Sequence, residues 1–597
     1  MKLRYLRVCN QPPLEDVAIN FGHESVLDRN CAIHFVVGVN GSGKSRLLQA
    51  LAEIFLSLDP NFGNQRVSLP NFPVTLVYDL GKENDARTIY LRHQDQSPSK
   101  TVLIEFKRVL DKNEVKDWES LQQSIEDIEQ TQELEDLPLF RSEPTISKKD
   151  YKKFLGNDMP GTGSMGVYLP SIVLAYTSGA TKAWEAIFSH LNIEPESINT
   201  NVNIDNERPL EWSLYQEQDL KKKQGEPIPE REQDVSSGLE ERQFSRIGIL
   251  VKPDDLKLAF CAVALEQAID DFKNTPTEAD KNQFIERINL SIETKERTAG
   301  LRGILNTIDW LWPITITLRI NYKPTEIKKS HRDKLAKLAD VANPIIRTPE
   351  PGTSRLFIFD LRCPLNKQDA VDKSTANALY ETVTGKDKKS SKPFDFFQEL
   401  YNWKQEGFLE DVQIAFRKRN LKDILLYDWL SDGEQVFLGR MALFHLLKGK
   451  DDALLLLDEP ETHFNDLWKR EIVDIIDESL SNDSTEVVIS THSSIALTDI
   501  FNTEINLLRK NPETGESIAS QLTTPTFGAD PGEIMINVFE ARDSIGQRAL
   551  EYLNKLLDKN WENHNKEDLE YLIRRIGAGY HRSELRTIWR KLNATQD

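Results

Sequence analysis

The segment Gly38-Val39-Asn40-Gly41-Ser42-Gly43-Lys44-Ser45 sets glycines, a lysine and a serine at the spacing of a phosphate-binding loop. Glycines let the backbone turn tightly enough for successive N–H groups to point at one anion. Lys44 would neutralise phosphate charge and Ser45 would hold Mg²⁺ beside it, while Gly38, Asn40, Gly41, Gly43 and Arg46 complete the cradle. A second string, Ala453 to Pro460, runs five apolar residues into the adjacent carboxylates Asp458 and Glu459. Asp458 would organise the metal through water, and Glu459 would polarise an attacking water. A third, Leu430-Ser431-Asp432-Gly433-Glu434-Gln435, precedes a helical pattern, and a fourth, Val487 to Ser493, ends an apolar run on His492.

These groups can act together only if strands and helices deliver them to one place. Ala32 to Val37 reads as a buried strand feeding the glycine loop, and Leu47, Leu48, Leu51, Ile54 and Phe55 follow at helical spacing. A chance glycine loop would lack that strand–loop–helix order. Each other string has a bland alternative: a strand ending in a capping acid, a Ser-Asp-Gly turn, a structural histidine. Their succession along the chain favours the functional reading. Gly161 to Gly166 matches G-x-G-x-x-G, but it follows Met159-Pro160 and precedes a strand, so it reads as a flexible loop rather than a dinucleotide site.

Leu430 to Gln435 resembles the signature of ABC ATPases, usually read L-S-G-G-Q, and Val487 to Ser493 resembles their switch-histidine strand. Glu461-Thr462-His463-Phe464-Asn465-Asp466 stands where the D-loop would be and is similar to the D-E-P-E-x-H form of soluble SMC-like and overcoming-lysogenisation ATPases. His463 and Asp466 are therefore interface candidates. The glutamine-loop place, Tyr176-Thr177-Ser178-Gly179, has no glutamine. The resemblance implies an α/β fold: an ABC-type P-loop NTPase with a mixed β-sheet flanked by helices, an α-rich inserted domain and a helical C-terminal tail. It implies ATP and Mg²⁺ as ligands, with Lys44, Glu459 and His492 catalytic and Ser45 and Asp458 at the metal. Ser431, Gly433 and Glu434 would meet the nucleotide of an opposite subunit in a head-to-tail homodimer or higher even oligomer.

Along the chain we expect an N-terminal ATPase lobe over 1–180, an inserted α/β region over 181–392, a C-terminal lobe over 393–510 and a helical partner-docking tail over 511–597. Leu110 to Asp136, Val263 to Phe272 and Phe284 to Leu305 read as helices, Ile172 to Tyr176, Ile314 to Ile320 and Arg355 to Phe359 as strands, and Ser197 to Gln243 as loop. The middle lacks the heptads of a long coiled coil. Basic clusters at Arg417-Lys418-Arg419 with Lys422, and at Arg574, Arg575, Arg582, Arg586, Arg590 and Lys591, read first as solvated helix faces, with phosphate or partner binding as the rival.

The chain has 597 residues, 39% hydrophobic and 28% charged, which suffices for a large core, and its net charge of -20 argues against a surface that is one nucleic-acid footprint. Four separated cysteines exclude a disulfide framework, and no apolar run reaches the roughly 18 residues of a membrane span, so a cytoplasmic location with no membrane partner is expected. Thr526 to Asp530 with Glu533 to Phe539, Leu169-Pro170 and the Asp458-to-Phe464 segment together resemble the restriction-system-associated ATPases of anti-phage defence, the Septu (PtuA) ATPase family also found beside retrons. That resemblance implies an HNH-type nuclease subunit as partner, with DNA or a retron RNA/DNA as a further partner class. Beyond His492 there is no D-x-D pair for a Toprim nuclease, so the nuclease would be a separate chain. The alternative is an SMC-like repair ATPase that clamps DNA directly.

Overall fold

The computed structural model describes residues 1–21, 29, 31–59, 70–82, 85–94, 101–109, 151–155, 160, 164–188, 247–273, 310–321, 329–342, 354–361, 374–385, 392–418, 424–480, 484–541, 543–561 and 566–594. The expected helices at Leu110 to Asp136 and Phe284 to Leu305, and the loop at Ser197 to Gln243, lie outside these residues.

Three sheets organise the chain. The first is antiparallel, in the order β2 (Leu14–Asn20), β1 (Lys2–Gln11), β4 (Val74–Leu80), β5 (Arg87–His93), β6 (Thr101–Phe106), β7 (Tyr151–Leu155). The central sheet has seven strands, in the order β17 (Ser517–Gln521), β16 (Ile505–Lys510), β3 (Ala32–Val37), β15 (Thr485–Thr491), β14 (Ala453–Asp458), β8 (Ile172–Thr177), β9 (Gly248–Val251). All its neighbours are parallel except β17 against β16. The third sheet, in the middle region, is antiparallel: β11 (Arg355–Asp360), β10 (Trp310–Ile320), β12 (Leu409–Lys418), β13 (Ile424–Leu426).

Parallel strands buried on both faces need continuous apolar runs, which β14 supplies over Ala453 to Leu457 and β15 over the shorter Val487 to Ile489. Their two-residue period splits the core in two. Ile33, Phe35, Leu174, Leu455, Leu457 and Ile489 face one side, where they meet the helices α3 (Leu256–Lys273), α7 (Asp432–Leu446) and α8 (Asp466–Leu480). Val36, Val173, Leu454, Leu456 and Val488 face the other, packing on α1 (Lys44–Leu58), α2 (Thr181–Phe188) and the first antiparallel sheet. The middle sheet carries α4 (Lys329–Val341), α5 (Thr375–Thr384) and α6 (Pro393–Gln405), whose apolar residues join the first of these cores.

The structure adds to and corrects the sequence reading locally. The helix expected from Val263 begins at Leu256, and the inserted region is sheet as well as helix. Arg417 and Lys418 end strand β12 rather than line a helix, because the run of alternating residues before them pairs with β10. Of the glycine-rich decoy, Met165–Tyr168 form a short 3₁₀ turn whose Met165 is buried in the core, so this part is packed rather than a flexible loop. The segment 511–597 is helical only from α9 (Pro531–Asn537) onward; β17 belongs to the central sheet, where it pairs antiparallel with β16, Ser517 opposite Lys510. Then α10 (Gln547–Leu557), α11 (Lys566–Arg575) and α12 (Tyr580–Ala594) close on a small core of their own around Trp561, Leu569 and Leu585. Among the described residues no helix is long and apolar enough to cross a membrane.

Candidate functional site

Register brings the chemistry to one edge. Val37 pairs with Thr491, Ser490 with Asp458, and Asp458 with Thr177. The carboxyl ends of β3, β15, β14 and β8 therefore align, the place where open parallel sheets bind ligands. From β3 the chain enters the glycine loop. A Cβ on Gly38 would sit 2.2 Å from the Leu508 carbonyl oxygen, and Gly43, at φ +89°, would place one 2.8 Å from Leu14. No side chain fits at either position, and α1 starts at once on Lys44.

Lys44 is buried and donates from Nζ to the carbonyls of Gly38, at 3.0 Å, and Val39, at 3.3 Å. Burial lowers its pKa, and Glu459, Asp458 and Glu461 pull the other way. Its ammonium thus closes the loop on itself, with three carboxylates in its field. The buried Ser42 hydroxyl has no hydrogen-bond partner among the described residues. An inward-facing lysine, an unpaired buried hydroxyl and glycines that admit no Cβ fit a cradle for a polyphosphate. Asn40 and Gly41 stand exposed on its rim, and Arg46 reaches back to the Gln11 side chain.

Asp458 gathers donors from two strands and two helices. Oδ1 accepts from Ser45 Oγ at 2.8 Å and Ser490 Oγ at 2.6 Å; Oδ2 accepts from Thr177 Oγ1 at 3.3 Å and the indole N–H of Trp184 at 3.4 Å. Ser45 and Asp458, already in contact, could share a Mg²⁺ ion whose other ligands are phosphate and water, and such a site needs no cluster of three protein ligands. Glu459 follows in the left-handed region at φ 51°, strained for a side-chain-bearing residue, which turns it off the strand. Burial and the Asp458 charge raise its pKa, and Lys44 lowers it. His492 Nε2 lies 3.2 Å from Glu459 Oε1. Burial, then the Lys44 charge, push the imidazole pKa down to about 4, with Asp458 opposing. The ring is therefore neutral at pH 7 and stands beside the Glu459 carboxylate.

The signature residues are arranged differently. Ser431 caps α7: its hydroxyl accepts from Glu434 N at 3.4 Å and donates to Glu434 Oε2 at 2.9 Å, while the Ser431 N–H donates to that same Oε2 at 3.1 Å. This reciprocal box satisfies helix-end donors. Ser431 is exposed, and its hydroxyl bonds with nothing else among the described residues. Gly433 lies close under the His463 carbonyl. His463, at φ 72°, and Asp466 are also exposed. The structure thus brings together Lys44, Ser45, Asp458, Glu459 and His492, and leaves Ser431, Gly433 and Glu434 outside that hydrogen-bond network.

Sequence reasoning missed Thr177, Trp184, Ser490, Glu461 and Arg440. Thr177 and Trp184 hold Asp458 from the glutamine-loop place, and Ser178 Oγ donates to the Glu459 carbonyl at 3.0 Å. No periodicity flags such residues; the missing glutamine was the one signal that something else must fill that place.

Among curated proteins none matches this chain. Solved structures that resemble it are SMC heads: one bound to the C-winged helix domain of ScpA (12% identity, 87% of this chain and 98% of that one, TM-score 0.29). Another is the head domain from Thermotoga maritima (12% identity, 88% and 100%, TM-score 0.27). A third, from Pyrococcus furiosus, carries an extended coiled coil (15% identity, 87% and 96%, TM-score 0.27). The sequence family described as "AAA domain, putative AbiEii toxin, Type IV TA system" matches residues 183–499, which hold the signature, Asp458, Glu459 and His492. That match spans more than half of the chain, and the chain belongs to this AbiEii-type AAA-domain family of P-loop ATPases.

Proposed function

We propose that this chain binds and hydrolyses ATP in a head-to-tail homodimer or higher even oligomer, and that its nucleotide state controls a separate HNH-type nuclease subunit in anti-phage defence. The observation that carries the catalytic part is the asymmetry just described: one sheet edge gathers a lysine, two carboxylates and a neutral histidine, while the signature cap faces solvent with its hydroxyl turned on its own helix. A site with its γ-phosphate donors exposed elsewhere on the chain is completed by a second copy.

Lys44 and the loop N–H groups hold the phosphates, and Ser431 with Gly433 and the α7 N-terminus of the other subunit caps the γ-phosphate. Ser45 and Asp458 would hold a Mg²⁺ ion, which would supply charge neutralisation for the phosphates. Glu459, with its pKa raised, accepts a proton from the attacking water. His492, with Nε2 3.2 Å from that carboxylate, can turn a ring N–H to a γ-phosphate oxygen. The family description, a toxin–antitoxin component, accords with a chain that governs a damaging activity.

The test is Glu459→Gln at saturating ATP. Turnover should fall by roughly 10²–10⁴, and the variant should accumulate as an ATP-bound dimer on size exclusion with light scattering. Unchanged turnover sinks the catalytic assignment. The tagged chain, purified from its native operon, should bring down a small HNH protein. Recovery of the chain alone, binding DNA tightly and salt-sensitively with ATP, would instead support the repair clamp.

A further inference from the structure

Arg440 on α7 is 1% exposed, yet among the described residues it forms no ion pair. A guanidinium stays charged in proteins, so burying one is costly unless its environment is built for it. Here it is. Nη1 donates to the Thr462 carbonyl at 3.0 Å and Nη2 to the Tyr176 hydroxyl at 2.7 Å, while the rings of Tyr176 and Phe464 lie each 4.8 Å from its central carbon. Three pieces of the molecule meet on this side chain: the signature helix, the β8 strand end and the loop after Glu459.

That loop leads directly to the chemistry. Next to Thr462, Glu461 is 6% exposed, and its Oε1 accepts from the Thr491 hydroxyl and, at 3.3 Å, from the His492 N–H. Thr462 N donates to the Glu459 carbonyl at 3.2 Å, and Ser178 Oγ reaches both Thr462 Oγ1, at 3.1 Å, and the Glu459 carbonyl. Hydrogen bonds therefore join α7 to the Glu459 backbone, and the Glu461–Thr462 peptide carries the link on to the His492 N–H. Phe437 of α7 also stacks on Trp468 at 4.3 Å, fixing the helix against α8.

We propose that Arg440 is a positioning residue that makes the signature helix and the Glu459–His492 pair move as one body, so that a γ-phosphate captured by Ser431 in one composite site is felt at the catalytic pair of the same chain's own site. This rests on the composite-site reading above. Arg440 touches no substrate; it sets where Thr462, and through Glu461 the His492 backbone, stand when the helix is pulled toward a partner's nucleotide. Lysine keeps the charge but cannot reach the carbonyl and the phenol in the same fork.

The experiment measures ATP turnover against ATP concentration for Arg440→Met, Arg440→Lys and Tyr176→Phe, with dimerisation of Glu459→Gln and of Glu459→Gln/Arg440→Met followed by light scattering. The expected result is a kcat lowered roughly tenfold or more in Arg440→Met, with KM changed less than about threefold. Arg440→Lys should recover part of the loss, and Tyr176→Phe, which removes one hydroxyl and keeps the ring, should show the same split at smaller size. ATP-driven dimerisation should survive in the double variant. Wild-type kcat in Arg440→Lys and Tyr176→Phe overturns the proposal, as does a parallel loss of thermal stability and ATP affinity that lysine does not rescue. Should Glu459→Gln itself fail to dimerise with ATP, the composite-site reading falls and takes the trans-subunit step with it; the kcat–KM split would then decide only whether Arg440 positions the pair within one chain.

Discussion

The carboxyl edge of the central sheet and the signature face are both built from polar residues at element ends, but they spend those groups differently. At the sheet edge the carboxylates are engaged from elsewhere in the chain: Asp458 takes four donors, and Glu461 two. At the signature face Ser431 and Glu434 serve only each other, and Trp429, 68% exposed, and Leu467, 60% exposed, lie open beside the signature and the D-loop place. Exposed large apolar side chains rimmed by polar ones mark association surfaces. One region is preorganised; the other is presented. Catalysis by preorganised electrostatics needs the first kind of region, and regulated assembly needs the second.

The largest effect should come from breaking the engaged region at the loop. Lys44→Ala removes the one buried cation facing three carboxylates and leaves the polyphosphate without its counter-charge. ATP affinity, titrated calorimetrically, should fall roughly a hundredfold, and the dimer should no longer form with ATP. An affinity within about threefold of wild type would mean that the loop N–H groups alone hold the nucleotide.

The presented region should respond with a different signature. Ser431→Ala should leave ATP binding to the single chain intact and weaken ATP-driven dimerisation by about tenfold, the worth of one hydrogen bond to a charged group. Glu434→Gln should act with the opposite sign. Its carboxylate sits 2.9 Å from the serine hydroxyl, where a partner's γ-phosphate would bring further negative charge, so neutralising it while keeping the cap should tighten the dimer a few-fold. Equal effects of both changes on monomer binding would erase the distinction between the two regions.

How far each region could be read from the chain follows from the same contrast. The glycine loop, the Asp458–Glu459 pair and the signature are contiguous strings whose chemistry is local, so they stand out without any fold. Trp184 and Thr177 meet Asp458 only because β8 lies beside β14, and Arg440 finds Thr462 only because α7 packs over the loop after Glu459. Nothing in the type or spacing of a tryptophan, a threonine or an arginine announces such a meeting. The middle sheet was half legible: β10 and β11 alternate clearly, but β12 carries Arg417-Lys418 at its end, and a basic string outweighed a strand pattern. β17 is short and polar, and its place is set by the Pro13 carbonyl and by Ser517 Oγ, which donates to the Ser42 carbonyl at 2.8 Å. Long-range partners of that kind leave no period to find.

The smallest effect tests whether the engaged region is as dry as its hydrogen bonds imply. His492 in the folded chain takes up a proton only near pH 4, below the ordinary imidazole value of 6.5, because burial and the Lys44 charge oppose it. Between those two values the unfolded chain binds more protons at this position than the folded one does, so this group makes stability fall as pH drops from about 6.5 toward 4. The imidazole is partly exposed, and solvent screening reduces the contribution to about 1 kcal/mol between pH 7 and pH 5. Urea melts of the nucleotide-free chain at those two pH values, compared with the same pair for His492→Gln, isolate it. The variant should show a smaller loss of stability on acidification than wild type. Identical slopes would mean that His492 is already as well solvated as a surface histidine, and that its contact with Glu459 forms only once ATP and the second subunit have closed the site.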